Sequence, residues 1–122
     1  EPGPGQLRPG PTVIMVLFSC PHLASEVELT DEREQHIAKQ HPDLLPTHRQ
    51  KIADTLTEPD QVRRSTRFGN TRLFSRWFAE LRGGKHVVVA VVSHYGSSRR
   101  HWIITAYIAR GLAGGEIEWK KD

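Results

Sequence analysis

The sequence predicts an α+β domain whose helices gather on one face of a mainly antiparallel meander. Three observations predict it. Two helical patterns lie back to back between residues 31 and 57. From residue 61 onward, runs rich in β-branched and aromatic residues alternate with Gly-bearing turns. No apolar run approaches the ~20 residues that cross a bilayer. A chain of 122 residues is long enough for one core and too short for two domains.

The elements follow in order. Residues 1–11, EPGPGQLRPGP, are Pro/Gly-rich without apolar spacing and read as a disordered or appended leader, leaving 12–122 as one domain. Residues 12–19 read as a strand from their β-branched content, and Val27 to Leu29 as a short second one after a Pro21-His22 turn. Thr30 or Asp31 offers an N-cap, and Glu34 completes a capping-box pattern with Asp31. That helix stops by His41, because Pro42 disfavours helical geometry in the residue before it. A second helix runs from Pro46 to Thr57, with Leu45, Arg49, Ile52, Ala53 and Leu56 on one face. Strands are expected at 61–68, 71–81, 85–94 and 101–110, with a short final one at 116–119. The VVVAVV run of the 85–94 segment reads as a central strand. Strict alternation in 101–110 puts Trp102, Ile104, Ala106 and Ile108 on the core side.

Charge is divided unevenly. Between Glu26 and Asp60 there are nine acids and four bases. Between Gln61 and Arg110 there are ten bases, nine of them arginine, against Glu80 alone. Planar guanidinium groups suit phosphate and base recognition, so the second half is either a solvated sheet surface or a nucleic-acid-binding one. Phe74, Phe78 and Tyr107 are the aromatic residues that would stack on unpaired bases. The single cysteine, Cys20, excludes an internal disulfide and fits a reducing cytoplasm. No secretory signal pattern stands at the start, and no membrane association is expected.

The stretch LTDEREQHIAKQHPDLL carries His36 and His41, which admit three readings. Five residues turn about 140° around a helix, a poor spacing for a zinc pair, and no cysteine pair or neighbouring carboxylate completes a site. No metal or other cofactor is therefore expected. Otherwise the imidazoles either close a helix end or supply acid–base catalysis near neutral pH. His94 is a reserve candidate at a strand end.

VELTDEREQHIAKQHPDLL, TLTEPDQV, an arginine-bearing strand pair, HVVVAVVS and WIITAYIAR occur in one order across residues 26–110. That order resembles the small phage- and mobile-element-associated domains of the superfamily joining barnase, colicin-type tRNA nucleases and RelE-like toxins. The resemblance implies two N-terminal helices packed on a four-stranded, or slightly larger, antiparallel β-sheet. It implies a metal-independent endoribonuclease, toxin- or effector-like, held by an inhibitory antitoxin or immunity protein. His36, with His41 second, matches the acid or base. Arg67 and Arg76 match the arginines that neutralise phosphate charge, and Thr105 and Tyr107 match the hydroxyls that orient the phosphate or the 2′-hydroxyl. Arg63, Arg64, Arg72, Arg99 and Arg100 complete the RNA-binding set. The alternatives are a nucleic-acid-binding module that cleaves nothing and a protein-interaction domain.

Overall fold

The structure is a computed structural model that describes residues 14–122; the leader at 1–11 lies outside the described residues. The elements are β1 (Met15–Cys20), a 3-10 turn (Pro21–Leu23), β2 (Ser25–Thr30), α1 (Asp31–Gln40), α2 (Arg49–Thr57), β3 (Gln61–Arg64), β4 (Thr71–Phe78), β5 (Lys85–Tyr95), β6 (Arg99–Ala109) and β7 (Glu116–Lys120). All seven strands join one sheet in the order β1-β2-β6-β5-β4-β3-β7.

This corrects the expected fold. The sheet has seven strands rather than four, and the β1–β2 hairpin precedes the helices, which are therefore not N-terminal. Two chain crossings build the extra width. The β1–β2 hairpin flanks β6, where Glu28 lies opposite Trp102 in a parallel pairing. At the other edge β7 leaves β6, passes three strands and pairs with the outer side of β3. Arg63 holds that crossing: its buried guanidinium donates from Nη1 to the carbonyls of Ala113 and Gly114, both at 2.6 Å. Neither crossing leaves a local trace in composition.

Local chemistry sets the helix ends. Thr30 caps α1, its Oγ1 accepting the Arg33 N–H at 3.1 Å, and Asp31, Glu32 and Glu34 crowd the positive end of the helix. Glu34 does not close a capping box; it pairs with Arg49 at 3.0 Å and so ties α1 to α2. The second helix starts at Arg49 rather than Pro46; residues 42–48 form a run of turns in which the Leu44 and Leu45 N–H groups meet the His41 carbonyl and the His48 N–H meets the Leu44 carbonyl.

Helix α1 lies against β2 and β6, and α2 against β1, β4 and β5. Between them Ile37, Leu44, Leu45, Ile52 and Leu56 meet Val27, Leu29, Val62, Phe74, Val87, Val89, Val91, Ile103 and Ala106 in one core. Each large side chain buried there contributes about 1.5–3 kcal/mol. Phe74 and Phe78 belong to this core, which removes them as stacking platforms; Trp77 on the other face of β4 is the exposed aromatic. Strict alternation also fails in β6. Ala90 pairs with Thr105 but Val91 with Ile103, so Ile104 is an extra residue in a β-bulge. His101 and Ile103 are buried as a result, where alternation had put them opposite the core. The strands expected at 61–68 and 71–81 end at Arg64 and Phe78. Among the described residues no helix is long and apolar enough to cross a membrane.

Candidate functional site

Two groups of charged side chains sit at opposite ends of the sheet. The first lies beside the β4–β5 turn. Arg82 has a left-handed backbone, φ 43°, and Lys85 Nζ closes the turn by donating to the Arg82 and Gly84 carbonyls at 2.9 and 3.2 Å. Arg110 follows the last residue of β6, and Asp43 comes from the α1–α2 link. With Ile108 these four residues line a cleft of about 390 Å³, in which three cations face one carboxylate.

The segments that wall this cleft also carry His41 and Tyr107, whose ring centroids stand 6.0 Å apart. His41 is fixed from its backbone. Its N–H donates to the Ile37 carbonyl at 2.7 Å, ending α1, and its own carbonyl accepts from Leu44 and Leu45 at 3.0 and 3.2 Å. The half-buried imidazole is left to the Tyr107 side. An imidazole can exchange a proton with a ribose hydroxyl, and a phenol can donate a hydrogen bond to a phosphate oxygen.

The second group lies under the β3–β4 and β5–β6 hairpins, where the β1–β2 turn folds over the sheet. Glu118 accepts from Arg72 Nε at 2.8 Å and from His22 Nε2 at 2.7 Å, and Arg64 stands 3.4 Å away. Burial works to raise the Glu118 carboxyl, but His22 and Arg72 outweigh it and hold the group below its usual range. Burial likewise works against the Arg72 charge, yet Glu118 and Tyr95 leave its pKa raised. Beside them Ser93 Oγ lies 2.7 Å from His101 Nδ1. Desolvation, and then the charges of Arg72 and Arg99, push the His101 imidazole down.

The residues singled out in sequence are dispersed among these regions. His36 is exposed on α1, in a hollow lined by Thr30, Glu32, Arg33, Gln35 and Lys39, with no strand arginine among its walls. Arg67 lies in the β3–β4 turn rather than in a strand, over the Phe68 ring at 5.6 Å. Arg76 lies over Phe78 at 5.3 Å and donates to the Glu58 carbonyl at 3.4 Å. Thr105 is half-buried opposite Ala90, beside the bulge. Of the RNA-binding set, Arg63 is spent on the crossing link, Arg72 and Arg64 on Glu118, and Arg100 on Glu28 at 2.9 Å. Arg99 lies over Tyr95 at 5.7 Å. His41 and Tyr107 are thus the acid–base and hydroxyl candidates whose rings meet.

Sequence reasoning missed Arg82, Lys85, Arg110 and Asp43 as one group. The cluster RGGK at 82–85 was a visible signal, since cations flanking a glycine turn are presented together. Among the described residues no cluster of three or more His, Cys, Asp or Glu could hold a metal ion. Comparison with family models, curated proteins and solved structures finds no match to the chain.

Proposed function

We propose that the chain is a metal-independent endoribonuclease whose chemistry sits at the cleft between the β4–β5 turn, the end of β6 and the α1–α2 link. The observation that carries this reading is the His41–Tyr107 ring pair, 6.0 Å apart, on the same two segments that supply Asp43 and Ile108 to a cleft with three cations and one acid. In the reaction a base removes the proton of a ribose 2′-hydroxyl, and the oxygen attacks the adjacent phosphorus. The bond from phosphorus to the 5′-oxygen breaks, the leaving oxygen takes a proton, and a 2′,3′-cyclic phosphate remains. His41 is the proton-transfer group, because an imidazole both accepts and releases protons near neutral pH. Tyr107 orients the phosphate. Arg82, Lys85 and Arg110 neutralise the charge that builds on the phosphorane oxygens. His36, the first acid–base candidate in the sequence, lies outside this cleft and takes no part. We place the protein in a reducing cytoplasm, on its single buried and unpaired cysteine.

The test is incubation of a mixed tRNA and mRNA pool with purified protein in EDTA, followed by analysis of product ends. Wild type and His36→Ala are expected to leave cyclic-phosphate ends, and His41→Ala to leave the RNA intact. RNA that survives the wild-type protein would overturn the reading. The separation of His36 from the strand arginines favours the alternative, a binding module without cleavage, in which all three proteins bind RNA and none cuts it.

A further inference from the structure

The β3–β4 and β5–β6 hairpins turn at the same end of the sheet, and each tip presents an aromatic ring with an arginine over it. Arg67 lies 5.6 Å from the Phe68 centroid and Arg99 lies 5.7 Å from the Tyr95 centroid. The rings are exposed, Phe68 by 57% and Tyr95 by 58%, although both are large and apolar enough to be buried elsewhere.

Their exposure is built in. In the first tip, Ser65 Oγ accepts the N–H groups of Arg67 and Phe68 at 3.2 and 3.1 Å, and Thr71 N–H donates to the Phe68 carbonyl at 2.9 Å. This fixes the turn with Phe68 outward. In the second, Tyr95 rests edge-on against the buried His101 ring at 5.7 Å, and Ser93 holds that imidazole at 2.7 Å. The two tips stand side by side: Thr71 pairs with Val92, and the Ser93 N–H donates to the Asn70 carbonyl at 3.0 Å.

Charge points to the occupant. No acid occurs from Gln61 to Ala79 or from Leu81 to Gly115. Of the acids that reach these hairpins from elsewhere, Glu28 is held by Arg100 and Glu118 by Arg64 and Arg72, while Glu116 stands opposite Arg64 at the base of the first hairpin. Among the described residues Arg67 and Arg99 meet only the aromatic rings beneath them. Paired aromatic platforms with unneutralised arginines match unpaired nucleotides, whose bases stack and whose phosphates seek cations. A duplex keeps its bases inside and offers nothing to stack on.

We infer that the two hairpin tips form a binding surface for single-stranded RNA, with bases stacking on Phe68 and Tyr95 and phosphates held by Arg67 and Arg99. The identity of the polymer as RNA rests on the ribonuclease reading; the preference for unpaired bases does not. The surface stands at the far end of β5 from the cleft. A strand engaging both therefore runs the length of the sheet.

The experiment is fluorescence anisotropy of the full chain with a short 2′-O-methylated single-stranded RNA, which lacks the nucleophile and survives the assay, and with the matching duplex. The single strand is expected to bind at least about 10-fold more tightly, and Phe68→Ala and Tyr95→Ala each to weaken it by roughly 5- to 100-fold. Arg67→Ala and Arg99→Ala are each expected to lower the slope of log affinity against log salt by about one. All four side chains are exposed, and a cooperative melt well above the assay temperature establishes that each variant folds, Tyr95→Ala being the one that also removes a contact of His101 and Arg72. Equal binding of the duplex, or of heparin, would overturn the proposal, as would alanine variants that bind like wild type. Aromatic-dependent binding without cleavage sinks the nuclease reading and keeps this one; cleavage with indifferent aromatic variants does the reverse.

Discussion

Beneath the hairpin tips Arg72 is 13% exposed and donates to Glu118 at 2.8 Å, while His22 reaches the same carboxylate at 2.7 Å. At the far end of the sheet Arg82, Lys85 and Arg110 share a cleft with Asp43 alone. The first set uses its charges on one another and ties three distant pieces of chain: the β1–β2 turn, β4 and β7. The second sets three cations against the one carboxylate of Asp43, with Lys85 held by two backbone carbonyls. Desolvated, mutually paired charge serves the fold, whereas cations that outnumber the acids beside them are open to an anionic ligand. The arginine count of the sequence does not separate the two uses; only the location of each acid does.

The sharpest break of this comparison is at His41. His41→Ala is expected to lower cleavage by about 10²- to 10⁴-fold, the range for a positioned acid or base, with a small change in unfolding free energy. Rates and denaturant melts measured on the same preparation separate the two effects. Next is Glu118→Gln. It removes the negative charge between the partly buried Arg72 and His22 and turns one of the two accepting oxygens into a donor amide, and is expected to cost about 2–3 kcal/mol of stability, with cleavage per folded molecule unchanged. An equal loss of stability and rate would show that the two ends are not separable. Arg110→Ala sharpens the contrast from the other side. Stability should stay within about 0.5 kcal/mol of wild type, while cleavage falls by roughly 10- to 100-fold.

How far the sequence was legible follows from the range of the interactions. The VVVAVV run, the Thr30 cap and the helix stop before Pro42 are local features, and each takes the expected form in β5 and α1. The width of the sheet was not legible, because β7 reaches β3 across β5 and β4, and β2 joins β6 at one residue pair. The bulge at Ile104 was hidden for a related reason: alternation cannot register one extra residue, and every side assignment before it in β6 reversed. The candidate site divides in the same way. His41 and Tyr107 carry their chemistry in their residue type and were picked out. Asp43, Arg82 and Arg110 become a site only when three connections meet. Glu118 looks like a surface acid in EIEWK, and its partners His22 and Arg72 are 96 and 46 residues away.

The smallest expected effect is a pH dependence carried by the paired end. The folded protein disfavours protonated His101, through burial and then the charges of Arg72 and Arg99, so its imidazole titrates below the ordinary 6.5. As pH falls past 6.5 the unfolded chain takes up that proton first. Stability is therefore complete above 6.5 and declines below it. Glu118 is also lowered, from an ordinary 4.5, with His22 and Arg72 overcoming its burial; its contribution is complete above 4.5 and is lost as pH falls further. The two groups act in the same direction in successive windows. Melting temperature measured from neutral pH downward should show two shallow steps. His101→Gln should remove the upper step, and Glu118→Gln should shrink the lower one, which Glu28 and Glu80, also held below their usual range, share. If both steps keep their full size in both variants, the acid sensitivity belongs elsewhere and the paired end does not hold its charges as the geometry requires.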